Sequence, residues 1–154
     1  MKKPADLRAY LTQAIPSLAK DPDKIHVFIE KGHIASKYGK SLSFEYRYPL
    51  QLVITDYTDP VDTLIVPLLA WIAANQPDIL LDPDKQAKAI GFEAEILDHH
   101  TTDIGLTLEL SERVIITAVA GGGWSCEHVG EPPLPDLGGP TGWSMVINGA
   151  PLLP

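Results

Sequence analysis

The chain has a single cysteine among 154 residues, Cys126, which rules out an internal disulfide and fits a reducing cytoplasm. Cations are scarce as well. Twelve Lys and Arg stand against 20 Asp and Glu, for a net charge of −8. Phosphate neutralisation needs clustered Lys and Arg, so this balance argues against bulk nucleic-acid binding, while favouring solubility and docking on a basic partner. Long hydrophobic runs are missing too. The most apolar one, residues 65–74, amounts to about half a bilayer span and is interrupted by Pro67. The opening MKKPADLRAYL lacks the apolar region of a signal peptide. The expectation is a soluble protein made in the cytosol, able to leave it as part of an assembly. No GxSxG elbow, HExxH helix or CxxC pair occurs anywhere.

What is present is a long alternation. In SLSFEYRYPLQLVITDY (residues 41–57) the even positions are Phe44, Tyr46, Tyr48, Leu50, Leu52 and Ile54, and the odd ones are mostly polar. A period of two over this length predicts one strand, buried on one face and wet on the other. It is more than twice the usual strand length of about 5–6 residues, as befits the spine of a sheet. The wet face carries Glu45 and Arg47 but nothing resembling a reaction centre.

Around this strand, Leu7, Tyr10, Leu11, Ala14, Ile15 and Leu18 recur at helical spacing, with Pro16 set to end or kink the helix. Ile25, Val27 and Ile29 alternate. Gly32 marks a turn, and residues 33–37 return as a second short strand, so a hairpin is expected. Asp59 and Pro60 predict a helix cap ahead of an almost wholly apolar helix reaching about Asn75, which must be covered on more than one side. Phe92, Ala94 and Ile96 then alternate with Glu93 and Glu95. A second long stripe runs through Ile104, Leu106, Leu108, Leu110, Val114 and Ile116, with a bulge or twist expected at Ser111-Glu112. Trp124 to Val129 fits one more strand.

The sum is an α+β domain: an antiparallel β-sheet of about 4–6 strands with two α-helices packed on one face, and long strands extending beyond the core. Composition shifts near residue 119. Residues 121–154 hold 8 Gly and 6 Pro, with no Lys or Arg. This divides the chain into a body, 1–119, and an irregular C-terminal arm, 120–154. Trp124, Trp143 and several aliphatics give the arm reason to order against a neighbour.

The one cluster resembling metal ligands is Asp98-His99-His100. The triplet also occurs in a family of manganese phosphoesterases, but the further aspartates those enzymes need have no counterpart here. Adjacent histidines on a strand point to opposite faces and chelate poorly, so a polar loop is the expectation. His26, His33 and His128 are scattered. Cys126 reads as a packed free thiol, and Gly121-Gly122-Gly123 as a turn rather than a phosphate cradle, since no helix pattern follows. Glu93/Glu95 and Glu109/Glu112 read as acids on wet strand faces.

The blocks ADLRAYLTQAIP, DPDKIHVFIEKG, SLSFEYRYPLQLVITDY, VDTLIVPLLAWIAANQPDIL, FEAEIL and DIGLTLELSERVIIT, in this order, resemble the P2-type phage tail completion protein R family. The resemblance implies a structural part in a contractile tail, assembled in the host cytoplasm and carried in the virion. By analogy of role it implies a hexameric ring at the head-proximal end. The partners would be copies of itself, the tail tube and sheath proteins, and a head–tail connector, without membrane or sequence-specific nucleic acid. It implies no catalytic residue, cofactor or metal. The expected interface residues are Glu45, Arg47, Trp124 and Trp143. Two other classes compete: a small acidic immunity-type binding module, and a metal-dependent phosphoesterase using Asp98, His99 and His100.

Overall fold

A computed structural model describes residues 1–132, 145–148 and 150–152. Two long strands form its spine: β3 (Phe44–Tyr57) and β5 (Thr102–Ala118), antiparallel and in register from Phe44↔Val114 to Ile54↔Ile104. Each is flanked on its outer side by two short strands set end to end. β1 (Ile25–Phe28) and β2 (His33–Ser36) both pair with β3, while β4 (Ile90–Ile96) and β6 (Trp124–Val129) both pair with β5. The result is one six-stranded antiparallel sheet.

Helices cover only one end of one face. α1 (Lys3–Ala14) and α2 (Pro16–Lys20) are separated at Ile15, which is extended (φ −114°, ψ 108°) just before Pro16, where the sequence calls for a break. α3 (Asp62–Asn75) packs beside α1, and two single-turn helices follow, α4 (Asp78–Leu81) and α5 (Pro83–Gln86). Between helices and sheet lies one core, including Leu7, Leu11, Leu18, Leu50, Leu52, Ile54, Leu64, Trp71, Ile104 and Leu108, all essentially inaccessible. Helical cover thins over the other half of the ribbon, with β2 and β6, where the start of α1 reaches in only to Glu112 and Ile34 and Trp124 are exposed. In the C-terminal tract β7 (Met145–Ile147) pairs antiparallel with β8 (Ala150–Leu152) as a separate two-stranded unit. No described helix is long and apolar enough to cross a membrane.

Three local expectations are corrected. The first concerns β1 and β2, which do not form a hairpin with each other. They run in the same direction along β3, as one edge strand interrupted at residues 29–32. Phe28 opposes Gln51 and His33 opposes Arg47, so the edge spends one residue more than β3 across the interruption. Pro49 explains the break. The Glu109 N–H donates to the Ala89 carbonyl at 2.9 Å, so Glu109 points its backbone away from β3 and the opposed Pro49/Glu109 pair exchanges no bonds. The nitrogen of Pro49 therefore faces the interruption, where no hydrogen bond is lost.

Second, no bulge occurs at Ser111-Glu112. The register slips between Ile54 and Tyr57 instead, and Asp56 there adopts a left-handed conformation (φ 49°). Aspartate tolerates this region, and the Asp56 N–H is held by Asp103 Oδ1 at 2.8 Å. Third, Asp59 does not cap α3. The helix begins at Asp62, and the Pro60 carbonyl accepts both the N–H and the hydroxyl of Thr63, at 2.9 and 2.6 Å.

Gly32 sits where the interrupted edge presses on β3. A Cβ there would lie 3.2 Å from the Cβ of Tyr48 and 3.3 Å from the Arg47 carbonyl. Gly32→Ala is therefore expected to cost about 1–2 kcal/mol through forced backbone movement. Urea denaturation checks this; unchanged stability would mean that the edge yields freely.

Candidate functional site

Alternation along β3 puts Glu45 and Arg47 together on the face away from the core. Arg47 Nη2 and Nε lie 2.7 and 2.8 Å from Glu45 Oε2. Their cross-strand partners on β5 are Arg113 and Ser111. Glu45, Arg47 and Ser111, with Gln76, Asp78 and Lys85, line an open groove of about 440 Å³, where the turn α4–α5 passes the edge of β5. Arg47 is two-thirds exposed, so the ion pair contributes little to stability and leaves the guanidinium free to take another carboxylate. Trp124 opens β6 opposite Ala118 and is 58% exposed. Trp143 lies outside the described residues.

The loop at residues 97–101 closes the β4–β5 hairpin. Asp98 Oδ1 accepts the N–H of His100 and of Thr101, at 2.6 and 2.8 Å, and these bonds hold its carboxyl below the ordinary 3.8. The carboxylate is thus spent on its own turn. Among the described residues no group of three or more His, Cys, Asp or Glu side chains is placed to share an ion. Cys126 is exposed on β6 rather than packed.

A buried polar junction centres on Glu112, an acid that in the sequence reads as lying on a wet strand face. It is 5% exposed. Its Oε2 accepts the Lys2 N–H at 2.7 Å; its Oε1 accepts the Lys3 N–H at 3.3 Å and the Tyr48 hydroxyl. A β5 carboxylate thus takes the free N–H groups at the start of α1 and ties helix to ribbon. Burial alone would raise its pKa. The Tyr48 hydroxyl and the Lys2 and Lys3 N–H groups overcome that and hold it below 4.5. Burial and the same hydrogen bond push the Tyr48 hydroxyl up, so it remains a donor. His128 Nδ1 on β6 approaches Glu112 Oε2 to 3.2 Å, outside hydrogen-bonding alignment.

Gln76, also buried, extends this junction. Its Oε1 accepts from the Ser111 N–H at 2.9 Å and from Lys3 Nζ at 2.8 Å, filling the gap between β4 and β6 on the edge of β5. Parity was the available signal for Glu112. It occupies an even position between Leu110 and Val114, on the buried stripe.

Beyond the helices, apolar side chains lie open. Phe92, Ile96 and Ile34 are 60%, 78% and 68% exposed. The first two oppose Leu106 and Thr102, on the face that the helices cover farther in, but on β4 the core reaches only Ile90.

These features define the class: an α+β protein built on a long antiparallel ribbon, half clothed by helices, with two open sheet edges. The family profile described as P2 phage tail completion protein R (GpR) matches residues 1–132, and the chain belongs to this family. Tail completion protein R of Escherichia phage P2 is 42% identical to it over 136 residues, covering 88% of this chain and 87% of that protein. No solved structure matches the chain.

Proposed function

We propose that the chain is a structural tail completion protein, acting at the head-proximal end of a contractile phage tail. The observation that carries this reading is the family match over residues 1–132, which takes in every described helix and the whole six-stranded sheet. In this reading the protein forms a hexameric ring that finishes the tube and sheath and prepares the tail to join the head. Its partners are its own copies, the tube and sheath proteins and a connector protein. It is assembled in the host cytoplasm and carried in the virion tail.

The chain works in two parts: the body, 1–119, and the arm, 120–154, which reaches a neighbour and is moored by β6 on β5. Glu45, Arg47, Trp124 and Trp143 serve as contact residues, and the first three are exposed or half-buried, as such a role requires. No catalytic residue is assigned.

Inactivating the gene in the phage or prophage that carries it tests the reading. Tails seen by negative-stain electron microscopy should be unfinished at the head-proximal end and fail to join heads, and supplying the chain in trans should restore them. Normal virions without the chain would refute the proposal.

A further inference from the structure

The two open edges of the sheet carry opposite charge. From Lys31 to Phe44, the stretch containing β2, there are three lysines (Lys31, Lys37, Lys40) and no acid. From Ala89 to Glu112, the stretch containing β4 and most of β5, there are six acids and no Lys or Arg. In a chain of net charge −8 the first is a basic island. The lysines are exposed, as are Glu93 and Glu95 on β4, and among the described residues none of the five has an ion-pair partner.

Apolar side chains accompany both sets of charges. Ile34 on β2 opposes Tyr46, and Phe92 and Ile96 on β4 oppose Leu106 and Thr102; all three lie on the same face of the sheet. His33 opposes Arg47, so Arg47 shares the other face with Glu93 and Glu95. Joining a β4 edge to a β2 edge would therefore set isoleucine and phenylalanine together on one face, and bring Glu93 and Glu95 toward the lysines that flank β2 and toward Arg47 one strand further in.

We propose that the β4 edge of one copy docks on the β2 edge of a second copy of this chain, by strand addition. The inference rests on the ring reading above and names its contact. Unpaired backbone groups on both edges supply the ladder, while charge selects the partner. Two β4 edges repel each other, as do two β2 edges, and only unlike edges attract. The contact is thus head-to-tail, the type that propagates into a ring. The edges also sit at different heights: β4 lies beside Thr102–Leu108 of β5, whereas β2 lies beside Phe44–Arg47 of β3. The resulting stagger between neighbours is what a sheet needs in order to close on itself.

The test is light scattering on the full chain, on E93K/E95K, on K31E/K37E/K40E, and on an equimolar mixture of the two variants. The wild type should be multimeric and each variant alone should fall to the mass of one chain. The mixture should regain multimers, because unlike edges are restored between the two variants. Variants that remain multimeric would overturn this contact and leave the ring reading standing.

If the wild type is monomeric at its highest soluble concentration, the measurement moves to isolated tails carrying I34C/I96C in a C126S background. Oxidation should then produce a ladder of linked copies. Absence of a ladder, with the chain present on the tail, overturns the edge contact. Absence of the chain from tails removes the ring reading itself.

Discussion

Replacing Glu112 with alanine is expected to cost the fold about 3–5 kcal/mol, the usual consequence of removing one member from a buried charged network. Three donors lose their acceptor at once: the Tyr48 hydroxyl and the N–H groups of Lys2 and Lys3. Total stability for a domain of this kind is about 5–15 kcal/mol, so the variant should show a much lower urea midpoint and early fraying of α1. The acid limb should change as well. Glu112 has a folded pKa below its ordinary 4.5, so its contribution is complete above 4.5 and is lost as pH falls through the folded value. In E112A the stability curve should therefore fall less steeply below pH 4.5 than in the wild type. E112Q keeps the shape and one acceptor and should lose less. Wild-type stability in E112A, or an unaltered acid limb, would mean that the carboxylate is not what ties α1 to the ribbon.

How much of this was legible depends on what kind of information fixes each feature. The alternation from Phe44 to Ile54 specified β3, its buried face and the ion-pairing neighbours Glu45 and Arg47, because parity is a local property of the chain. The break between α1 and α2 was equally local, set by Pro16. The edge strand is ambiguous in the sequence because a glycine after an alternating run suits either a hairpin turn or a bulge. What decides between them, Pro49 in a central strand, lies on the partner strand. The role of Glu112 is hidden in the sequence because an acid interrupting an apolar stripe looks like slippage. Its real cause is long-range: the start of α1, 109–110 residues away, supplies the donors. Phe92 and Ile96 were placed on the correct face, yet coverage of that face depends on how far the helices reach, which periodicity does not encode.

The same distinction separates fold from function. Strand parity accounts for the paired Glu45 and Arg47, but nothing in their chemistry identifies a phage tail; the ordered blocks of the family do. What geometry adds is a division of labour along the ribbon. One half is buried under helices and holds the fold. The other half, with β2, β6 and the lysine-bearing loops, buries less and leaves Ile34 and Trp124 exposed.

Trp71→Ala is expected to be about as damaging as the loss of Glu112, by a different route. Trp71 is 1% exposed on α3, in the core with Leu64, Leu68 and Ile72, and its indole N–H donates to Asp6 Oδ2 of α1 at 2.8 Å. Truncation removes the largest side chain of the core and leaves a cavity between α1, α3 and the sheet, at a cost of about 3–5 kcal/mol. Trp71→Phe fills most of that space and gives up only the hydrogen bond to the exposed Asp6, so a loss of about 1 kcal/mol is expected. Pairing it with Asp6→Ala separates the two contributions. In a double-mutant cycle the second substitution should add less than it costs alone, with a coupling of about 1 kcal/mol. Additive losses would mean that the indole acts through volume only, and that α1 is held to α3 by apolar packing without help from this hydrogen bond.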